Sequence, residues 1–238
     1  MLIHKAGRLK GNRKMIVKRA ARIDVPGIAS VKQATWPYEQ TNEDYIDRVI
    51  QDESHFTLVA TESLQIVGFV DGFETIAQDG TRRWEIDLLA VHPDHRGRGI
   101  AKCLVGACAE HGGQRGCSIS RSLIHIGNDN SMKVFTSCGY QPESQVCGLY
   151  VSSNDSDVNI AIPSNLHLGA VDTINYRGVW LEGELSGDAF AAAISSKTRL
   201  GLDIAGATVL LTRKDVIRKA LSANYLLIDH YRFWIRHL

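Results

Sequence analysis

Hydrophobic and polar positions along the chain follow two periods, which predicts a protein of mixed α/β structure. Alternating or continuous apolar runs predict strands, and apolar residues at helical spacing predict helices. In the first two thirds of the chain, strands are predicted at 16–19, 56–61, 66–75, 82–91 and 117–124, and helices at 24–35, 42–50, 99–112 and 128–138. The strands from 56 to 91 have short connections, so they are expected to form an antiparallel meander.

A polar segment, Ser152 to Asp157, separates this part from the last third of the chain. Beyond it, strands are predicted at 174–185 and 207–212 and helices at 188–196 and 214–221. The aromatic end also fits a helix, because Leu227, Tyr231 and Trp234 can share one helical face. An end this apolar needs burial. We therefore expect 153–238 to be a small α/β extension that serves dimerisation or the substrate cleft.

The stretch from residue 84 to 105 carries the strongest chemical pattern. An apolar run ends at His92-Pro93, a turn containing Gly97 and Gly99 follows, and a helical pattern then begins. Glycine permits backbone conformations that a Cβ disfavours, and N–H groups at the start of a helix bind anions. Arg96 and Arg98 add positive charge. The turn is therefore predicted to bind a phosphate or pyrophosphate.

The segment Arg96-Gly97-Arg98-Gly99-Ile100-Ala101 fits the pattern R-x-x-G-x-[GA] and resembles the pyrophosphate loop of the GNAT (GCN5-related) N-acetyltransferases. A second signature of that family is an Asn that begins a helix, with a Gly-aromatic pair eleven and twelve residues later. Asn128, Gly139 and Tyr140 fill those places. The resemblance covers about residues 15–152. It implies a mixed, mostly antiparallel central sheet flanked by helices, and acetyl-CoA as donor.

The resemblance also implies which residues contact the donor. They come from the strand before the loop, the loop itself and the helix after Asn128: Leu89, Ala90, Val91, Arg96, Gly97, Arg98, Gly99, Ile100, Ala101, Asn128, Ser131 and Phe135. A backbone N–H at about Ala90 or Val91 is expected to polarise the thioester carbonyl. Many relatives carry a Tyr acid where this chain has Phe135, and a phenyl ring cannot donate a proton. Ser131, Tyr140 or a water could substitute.

Two carboxylates on the strand before the loop are candidates for the catalytic base. Glu85 and Asp87 are two residues apart, so they are expected to share one face, which Leu89 and Val91 would continue. Glu85 also stands where the histone-acetylating branch of the resembling family has its base. The alternative is a surface carboxylate that pairs with Arg82 or Arg83.

These observations predict an acetyl-CoA-dependent N-acetyltransferase, in which a primary amine attacks the donor directly in a ternary complex. The acceptor wall is expected to include Trp36, Tyr38 and Tyr45, unless these aromatics only pack the helices. A non-catalytic acyl-CoA-binding or sensor module is the alternative that Phe135 motivates. A nucleic-acid-binding role through the basic N-terminus is the third hypothesis.

Composition narrows the class of protein. The 238 residues are 44% hydrophobic and 22% charged with a net charge of +1, so a nucleic-acid partner is not expected. No apolar run predicts a membrane span or a signal peptide. The five cysteines form no C-x-x-C pair, which favours reduced thiols in the cytoplasm and no metal site. Residues 1–14 are basic and aperiodic, and they are predicted to be a flexible tail before the donor-binding domain at 15–152.

Overall fold

The computed structural model describes residues 5–8 and 14–238, with side chains from Met15 onward, so most of the predicted tail at 1–14 lies outside the described residues. In this part of the chain the strands are β1 Lys5–Arg8, β2 Lys14–Arg19, β3 Leu58–Glu62, β4 Gln65–Ile76, β5 Arg82–Val91, β6 Ile119–His125, β7 Gln141–Pro142, β8 Cys147–Ser152, β9 Leu166–Asp172, β10 Arg177–Gly183, β11 Ile204–Leu210 and β12 Leu226–His237. The α-helices are α1 Val25–Thr35, α2 Glu43–Gln51, α3 Ile100–Gln114, α4 Asp129–Ser137, α5 Gly187–Leu200 and α6 Lys214–Ser222, and short 3-10 turns cover Arg22–Asp24 and Pro93–His95. No helix of the described residues is both long and apolar enough to cross a membrane.

The strands form one continuous sheet in the order β1-β2-β3-β4-β5-β6-β12-β8-β11-β10-β9, with β7 paired to β12. Among the described strands the pairs β5–β6 and β10–β11 are parallel, and all the other pairs are antiparallel. The predicted fold class is therefore confirmed: a mixed, mostly antiparallel sheet flanked by helices. The meander predicted from 56 to 91 is β3-β4-β5.

Three apolar clusters hold the helices against the sheet. The first packs α3 and α4 on one face and includes Trp84 and Leu104. The second packs α1 and α2 on the other face, with Ile28 and Ile46 fully buried. The third lies under α5 and α6 in the C-terminal half and includes Phe190. Helices therefore cover both faces of the N-terminal half of the sheet.

The prediction of a C-terminal helix is wrong, because this segment forms the strand β12. The strand lies between β6 and β8 and bonds to both, so its neighbours in space come from the N-terminal half. Trp234 is buried in the cluster under α3 and α4. Helical spacing of a few aromatics was outweighed by pairing on both edges of the strand. The apolar end that suggested a homodimer is thus paired within its own chain.

The second half of the chain repeats the order of elements in the first. The run β4-β5-α3-β6-α4-β8 and the run β9-β10-α5-β11-α6-β12 each contain an antiparallel pair, a helix, a strand parallel to the one before it, a helix and a last strand. The last strands are exchanged: β8 pairs with β11, and β12 pairs with β6. The predicted boundary after residue 152 therefore falls between two halves that share strands.

Helix α3 continues through Gly112 and Gly113 to Gln114, so the predicted end of this helix at the two glycines is wrong. Gly112 serves packing instead. A Cβ on this residue would overlap the ring of Trp84, whereas a Cβ on Gly113 would lie 3.7 Å from its nearest neighbour, in Leu238. The absence of a side chain at Gly112 lets the helix approach the indole.

This difference predicts opposite effects for two neighbouring substitutions. Gly112→Ala is expected to lower the free energy of unfolding by about 1–3 kcal/mol, because the methyl group overlaps Trp84. Gly113→Ala is the matched control and is expected to raise it by about 0.5–1 kcal/mol, because alanine favours the helix. Urea denaturation of both variants measures the two values. Equal effects of the same sign would contradict the packing explanation.

Candidate active site

Strands β5 and β6 run side by side only at their beginnings. The paired residues are Arg83–Glu85 and 119–121, and beyond this point the two strands separate. The C-terminal end of β5 leads through the glycine turn to α3, and the end of β6 leads to Asn128 and α4. The gap between the diverging strands is thus flanked by two helix N-termini, which favour negative charge.

The glycine turn has the open backbone that an anion loop needs. Gly97 and Gly99 have φ angles of 74° and 82°, and apart from chain neighbours no atom of the described part of the chain lies within 4 Å of a Cβ built on either residue. The first backbone bond into α3 runs from the N–H of Cys103 to the carbonyl of Gly99. The N–H groups of 100–102 therefore lack a partner within the helix. These residues fit a pyrophosphate group.

The two arginines of the loop have different roles. Arg98 donates to the carboxylate of Glu62 at 3.2 Å and to the carbonyl of Asp94 at 2.9 Å, so it holds the loop in shape. His95 also contacts Glu62, at 3.2 Å. Arg96 is exposed, and its Nε donates to the carbonyl of Val91. Arg96 therefore brings free positive charge to the gap, and Arg98 acts through the loop.

A β-bulge interrupts β5 in its middle. Asp71 of β4 pairs with Leu88, and the next residue of β4, Gly72, pairs with Ile86. Asp87 is thus an extra residue without a partner across the ladder. A bulge bends its strand and re-aims the side chains around it.

The bulge changes which side chains share a face. Trp84 before the bulge and Leu89 and Val91 after it all contact the cluster under α3. Even-numbered residues before the bulge and odd-numbered residues after it therefore lie on the same face of the sheet. The expectation that Leu89 and Val91 continue the face of Glu85 was wrong, because one inserted residue reverses the alternation. Glu85 lies on the other face, towards α1 and α2.

The register also decides which backbone N–H groups point into the gap. The N–H of His92 donates to Val67, the residue before Gly68 on β4. Successive residues of a strand direct their N–H groups to opposite edges. The N–H groups of Leu89 and Val91 consequently point away from β4 into the gap, and that of Ala90 points towards β4. Of the two predicted carbonyl-polarising groups, the register favours Val91.

Asp87 has the electrostatic character of a base. Its side chain is accessible to solvent, yet protein atoms surround it, as expected for a group inside a cleft. This desolvation raises the pKa of Asp87 to about 7, with a further rise from the charge of Asp71, a decrease from His55 and a smaller rise from Glu85. A carboxyl group with a pKa near neutrality can accept a proton at physiological pH.

Glu85 is held by neighbouring side chains. The Nε of Arg121 donates to both carboxylate oxygens at 2.8 and 2.9 Å, and the hydroxyl of Thr75 donates at 2.6 Å. The guanidinium of Arg83 is also near, at 3.6 Å. Arg82, the other expected partner, bonds to Glu74 instead. Glu85 is thus a paired carboxylate that contributes charge next to Asp87.

A buried histidine that no sequence motif marks lies beside this cleft. The Nδ1 of His55 lies 2.8 Å from a carboxylate oxygen of Asp71, and the hydroxyl of Thr57 donates to the other oxygen at 2.7 Å. Burial lowers the pKa of His55, but the hydrogen bond and charge of Asp71 outweigh it, so the net pKa shift is upward. No cluster of three or more potential metal ligands occurs among the described residues. The contact joins Asp71 of β4 to His55, which precedes β3 and forms an isolated bridge with Phe73, and such a pairing cannot be read from spacing alone.

The side chains considered for proton donation to the leaving group, and Phe135 at the usual position of the acid, differ in burial and hydrogen bonding. Phe135 is 2% exposed and packs edge-on against Tyr140. The hydroxyl of Tyr140 is buried and lies 2.6 Å from that of Ser120, and burial raises the pKa of Tyr140. Ser131 is partly exposed in the first turn of α4, where its backbone N–H donates to Asn128. Ser131 is therefore the best-placed of the side chains considered for this role.

The remaining residues that were predicted to contact the donor or the acceptor differ in burial, and several of them pack within the fold. Ile100 is 2% exposed, whereas Ala101 is half-buried beside the loop. Of the three wall aromatics, Tyr38 extends into solvent and Trp36 packs against the cluster of α1 and α2. The hydroxyl of Tyr45 donates to Asp203 in the C-terminal half, at 3.1 Å. The helices that would roof an acceptor are thus tied to the second half.

Comparison with protein families matches residues 26–140 to the acetyltransferase (GNAT) family. An acetyltransferase of Sodalis glossinidius (strain morsitans) is 30% identical over 101 residues, which are 42% of this chain and 68% of that protein. The family match contains the diverging strands and the two helix N-termini.

Solved structures extend the similarity of the fold. A GCN5-related N-acetyltransferase from Sphaerobacter thermophilus superposes with a TM-score of 0.60 at 11% identity, covering 94% of this chain and 95% of that one. The structure of yncA from Salmonella typhimurium with its cofactor acetyl-CoA gives a TM-score of 0.50 at 18% identity, covering 56% of this chain and 83% of that one. The first of these similarities includes the C-terminal half.

Proposed function

The chain belongs to the GNAT acetyltransferase family, and from this premise we propose that it transfers the acetyl group of acetyl-CoA to a primary amine by direct attack in a ternary complex. Family membership makes it an acetyltransferase that uses acetyl-CoA. The amine acceptor and the direct mechanism are our proposal. The observation that carries it is Asp87, a carboxyl group with a pKa of about 7 in the cleft beside the diverging strands.

The donor would be held by the open end of the gap. The N–H groups at the start of α3 and the guanidinium of Arg96 suit its pyrophosphate, and Asn128 and Ser131 begin the second helix at this site. Bound acetyl-CoA supplies the acetyl thioester. The N–H of Val91, which points into the gap, can donate to a carbonyl oxygen there.

Asp87 would accept the proton of the acceptor amine. A lysine-like ammonium has a pKa of about 10.4 and must lose a proton before the nitrogen can attack. A base with a pKa near 7 is ionised at physiological pH and can accept that proton directly or through water. Glu85 would act through its charge, which contributes to the raised pKa of Asp87. The hydrogen-bonded pair of His55 and Asp71 lies near Asp87 and acts on its pKa.

Turnover of acetyl-CoA with a panel of primary amines tests the proposal. We expect thiol release that depends on the amine, together with the acetylated amine in mass spectra. Initial rates at varied concentrations of both substrates should give intersecting lines, as a ternary complex requires. Parallel lines would contradict direct attack, and binding of CoA without product from any amine would contradict acetyl transfer to amines.

A non-catalytic acyl-CoA-binding module is the second candidate, and one observation favours it. The position where many relatives have a Tyr acid is occupied by the buried Phe135, and the nearby Tyr140 is bonded to Ser120. A CoA thiolate has a thiol-like pKa of about 8.5 and can leave without an acid, so the enzyme remains our first candidate. The five cysteines are unpaired, which fits our proposal of a cytoplasmic location.

A further inference from the structure

The C-terminal half inserts a turn into the acceptor side of the N-terminal half. Ile174, between β9 and β10, is 2% exposed in the cluster formed by α1 and α2. The guanidinium of Arg48 on α2 donates to both oxygens of Asp172 at 2.6 Å. The hydroxyl of Thr173 accepts from the N–H of Tyr176 and closes the turn. Residues of β10 are thereby held beside the cleft that contains Asp87.

One face of β10 points towards this cleft. Val179 and Leu181 belong to the cluster under α5, so Trp180 and Glu182 point to the opposite face. Glu182 bonds to Arg83 at 2.7 Å and also contacts Arg121, the residue that holds Glu85. Trp180 is therefore on the face that meets the N-terminal half.

Glycines surround the indole of Trp180 within the sheet. Its partner on β11 is Gly206, and its partner on β9 is Gly169. A Cβ on Gly206 would lie 2.7 Å from the indole, so the ring covers this residue. A Cβ on Gly169 would meet no atom of the described residues within 4 Å, apart from its chain neighbours, so space is open on that side. The ring of Tyr176 lies 6.2 Å from that of Trp180, between centroids.

The charges of the cleft leave one carboxylate available. Glu85 and Glu182 are bonded to Arg121, and Asp71 is bonded to His55 and Thr57. Asp87 has electrostatic neighbours but no hydrogen-bond or ion-pair partner recorded among the described residues. Burial, followed by the charge of Asp87, raises the pKa of Tyr176, which agrees with a position of this phenol near Asp87. One free negative charge beside aromatic rings suits a single alkylammonium group.

We propose that the C-terminal half completes the acceptor site, and that the acceptor is a small monoamine with an apolar or aromatic body. Its nitrogen faces Asp87, and its body lies against Trp180 and Tyr176 in the space above Gly169. This inference rests on the proposed acetyl transfer to amines. It adds a substrate class and assigns a specificity role to Trp180 and Gly169.

The test compares kcat/KM for 2-phenylethylamine, ethylamine, spermidine and a lysine-containing peptide. We expect 2-phenylethylamine to be preferred over the other three by about tenfold or more. Trp180→Leu is expected to lower the preference for 2-phenylethylamine over ethylamine, measured as the ratio of their kcat/KM values, by about tenfold. The KM for acetyl-CoA should not change. Gly169→Val, which fills the open space and keeps the indole, is expected to weaken 2-phenylethylamine and to affect ethylamine little.

Ala170→Val is the matched control for the second variant, because Ala170 is the next residue of β9 and points to the other face. It should leave all four values unchanged. Two results would overturn the inference and leave the acetyltransferase activity standing. One is a preference for spermidine or the peptide. The other is a ratio of kcat/KM for 2-phenylethylamine to that for ethylamine that is unchanged in both Trp180→Leu and Gly169→Val. Absence of product from every amine would overturn the proposed function, and this inference with it.

Discussion

Replacing Asp87 by Asn is expected to lower kcat by about 10²-fold or more, because the amide cannot accept the proton of the amine. The substitution conserves shape, and Asp87 has no hydrogen-bond partner recorded among the described residues that it would lose. The KM for acetyl-CoA should stay unchanged, since the loop at Arg96 to Ala101 is intact. Steady-state kinetics with an amine that the wild-type protein acetylates measures both constants.

The pH dependence of kcat/KM should identify the same group. Asp87 must be ionised to act as base, so the rate is expected to fall about tenfold per unit as the pH decreases below its pKa of about 7. Asp87→Asn should lack this limb. Asp79→Asn is the control, because this substitution removes the same charge in the turn between β4 and β5. Among the described residues, the side chain of Asp79 bonds only to Thr81. An unchanged limb in Asp87→Asn would assign the pKa to another residue.

The raised pKa also has a consequence for stability. In the folded protein Asp87 binds a proton up to about pH 7, whereas its ordinary pKa is 3.8. Between these values the folded state binds more protons than the unfolded state, so the free energy of unfolding decreases as the pH rises through this window. Asp87→Asn is therefore expected to raise the melting temperature at pH 8 and to have little effect below pH 3.8. A decrease at pH 8 would indicate that the carboxylate stabilises the fold.

The glycine turn and the starts of the two helices could be predicted from the sequence because their determinants are local. The glycines with positive φ and the start of α3 lie within a few residues of one another, and the same holds for Asn128 and α4. Backbone conformation and helix capping depend on such short-range patterns. The structure places these elements where the sequence analysis expected them. Only the distinction between Arg96 and Arg98 depended on a distant residue, Glu62.

The surroundings of Glu85 and Asp87 could not be predicted, because their determinants are long-range. The bulge at Asp87 depends on the register between β4 and β5 and reverses the faces of Leu89 and Val91. The partner of Glu85 is Arg121, which is 36 residues away, and Arg121 also bonds to Glu182 of β10 in the second half of the chain. The pattern of hydrophobic residues along the sequence shows the periodicity within a helix or strand, but it does not show the register between two strands.

Removal of Arg121 is expected to cause the largest loss of stability. Its side chain is 18% exposed and bonds to Glu85 on β5 and to Glu182 on β10, and its guanidinium lies 4.5 Å from the ring centre of Phe233 on β12. Arg121→Ala removes the cation that bonds to both carboxylates and leaves only the guanidinium of Arg83, which lies 2.7 Å from Glu182 and 3.6 Å from Glu85. Breaking a buried ion pair at one partner costs about 3–5 kcal/mol, and we expect about 3 kcal/mol here because solvent has some access.

Arg82→Ala is the matched control, because the bond of Arg82 to Glu74, at 2.6 Å, is even shorter than the 2.8 Å bond of Arg121 to Glu85, but the side chain of Arg82 is 45% exposed. Exposed pairs contribute about 0–1 kcal/mol, so this variant should unfold almost as the wild type does. Urea denaturation at pH 7 compares the two proteins. Losses below 1 kcal/mol in both variants would show that the two halves are joined by the exchanged strands and the apolar clusters without help from this ion-pair network.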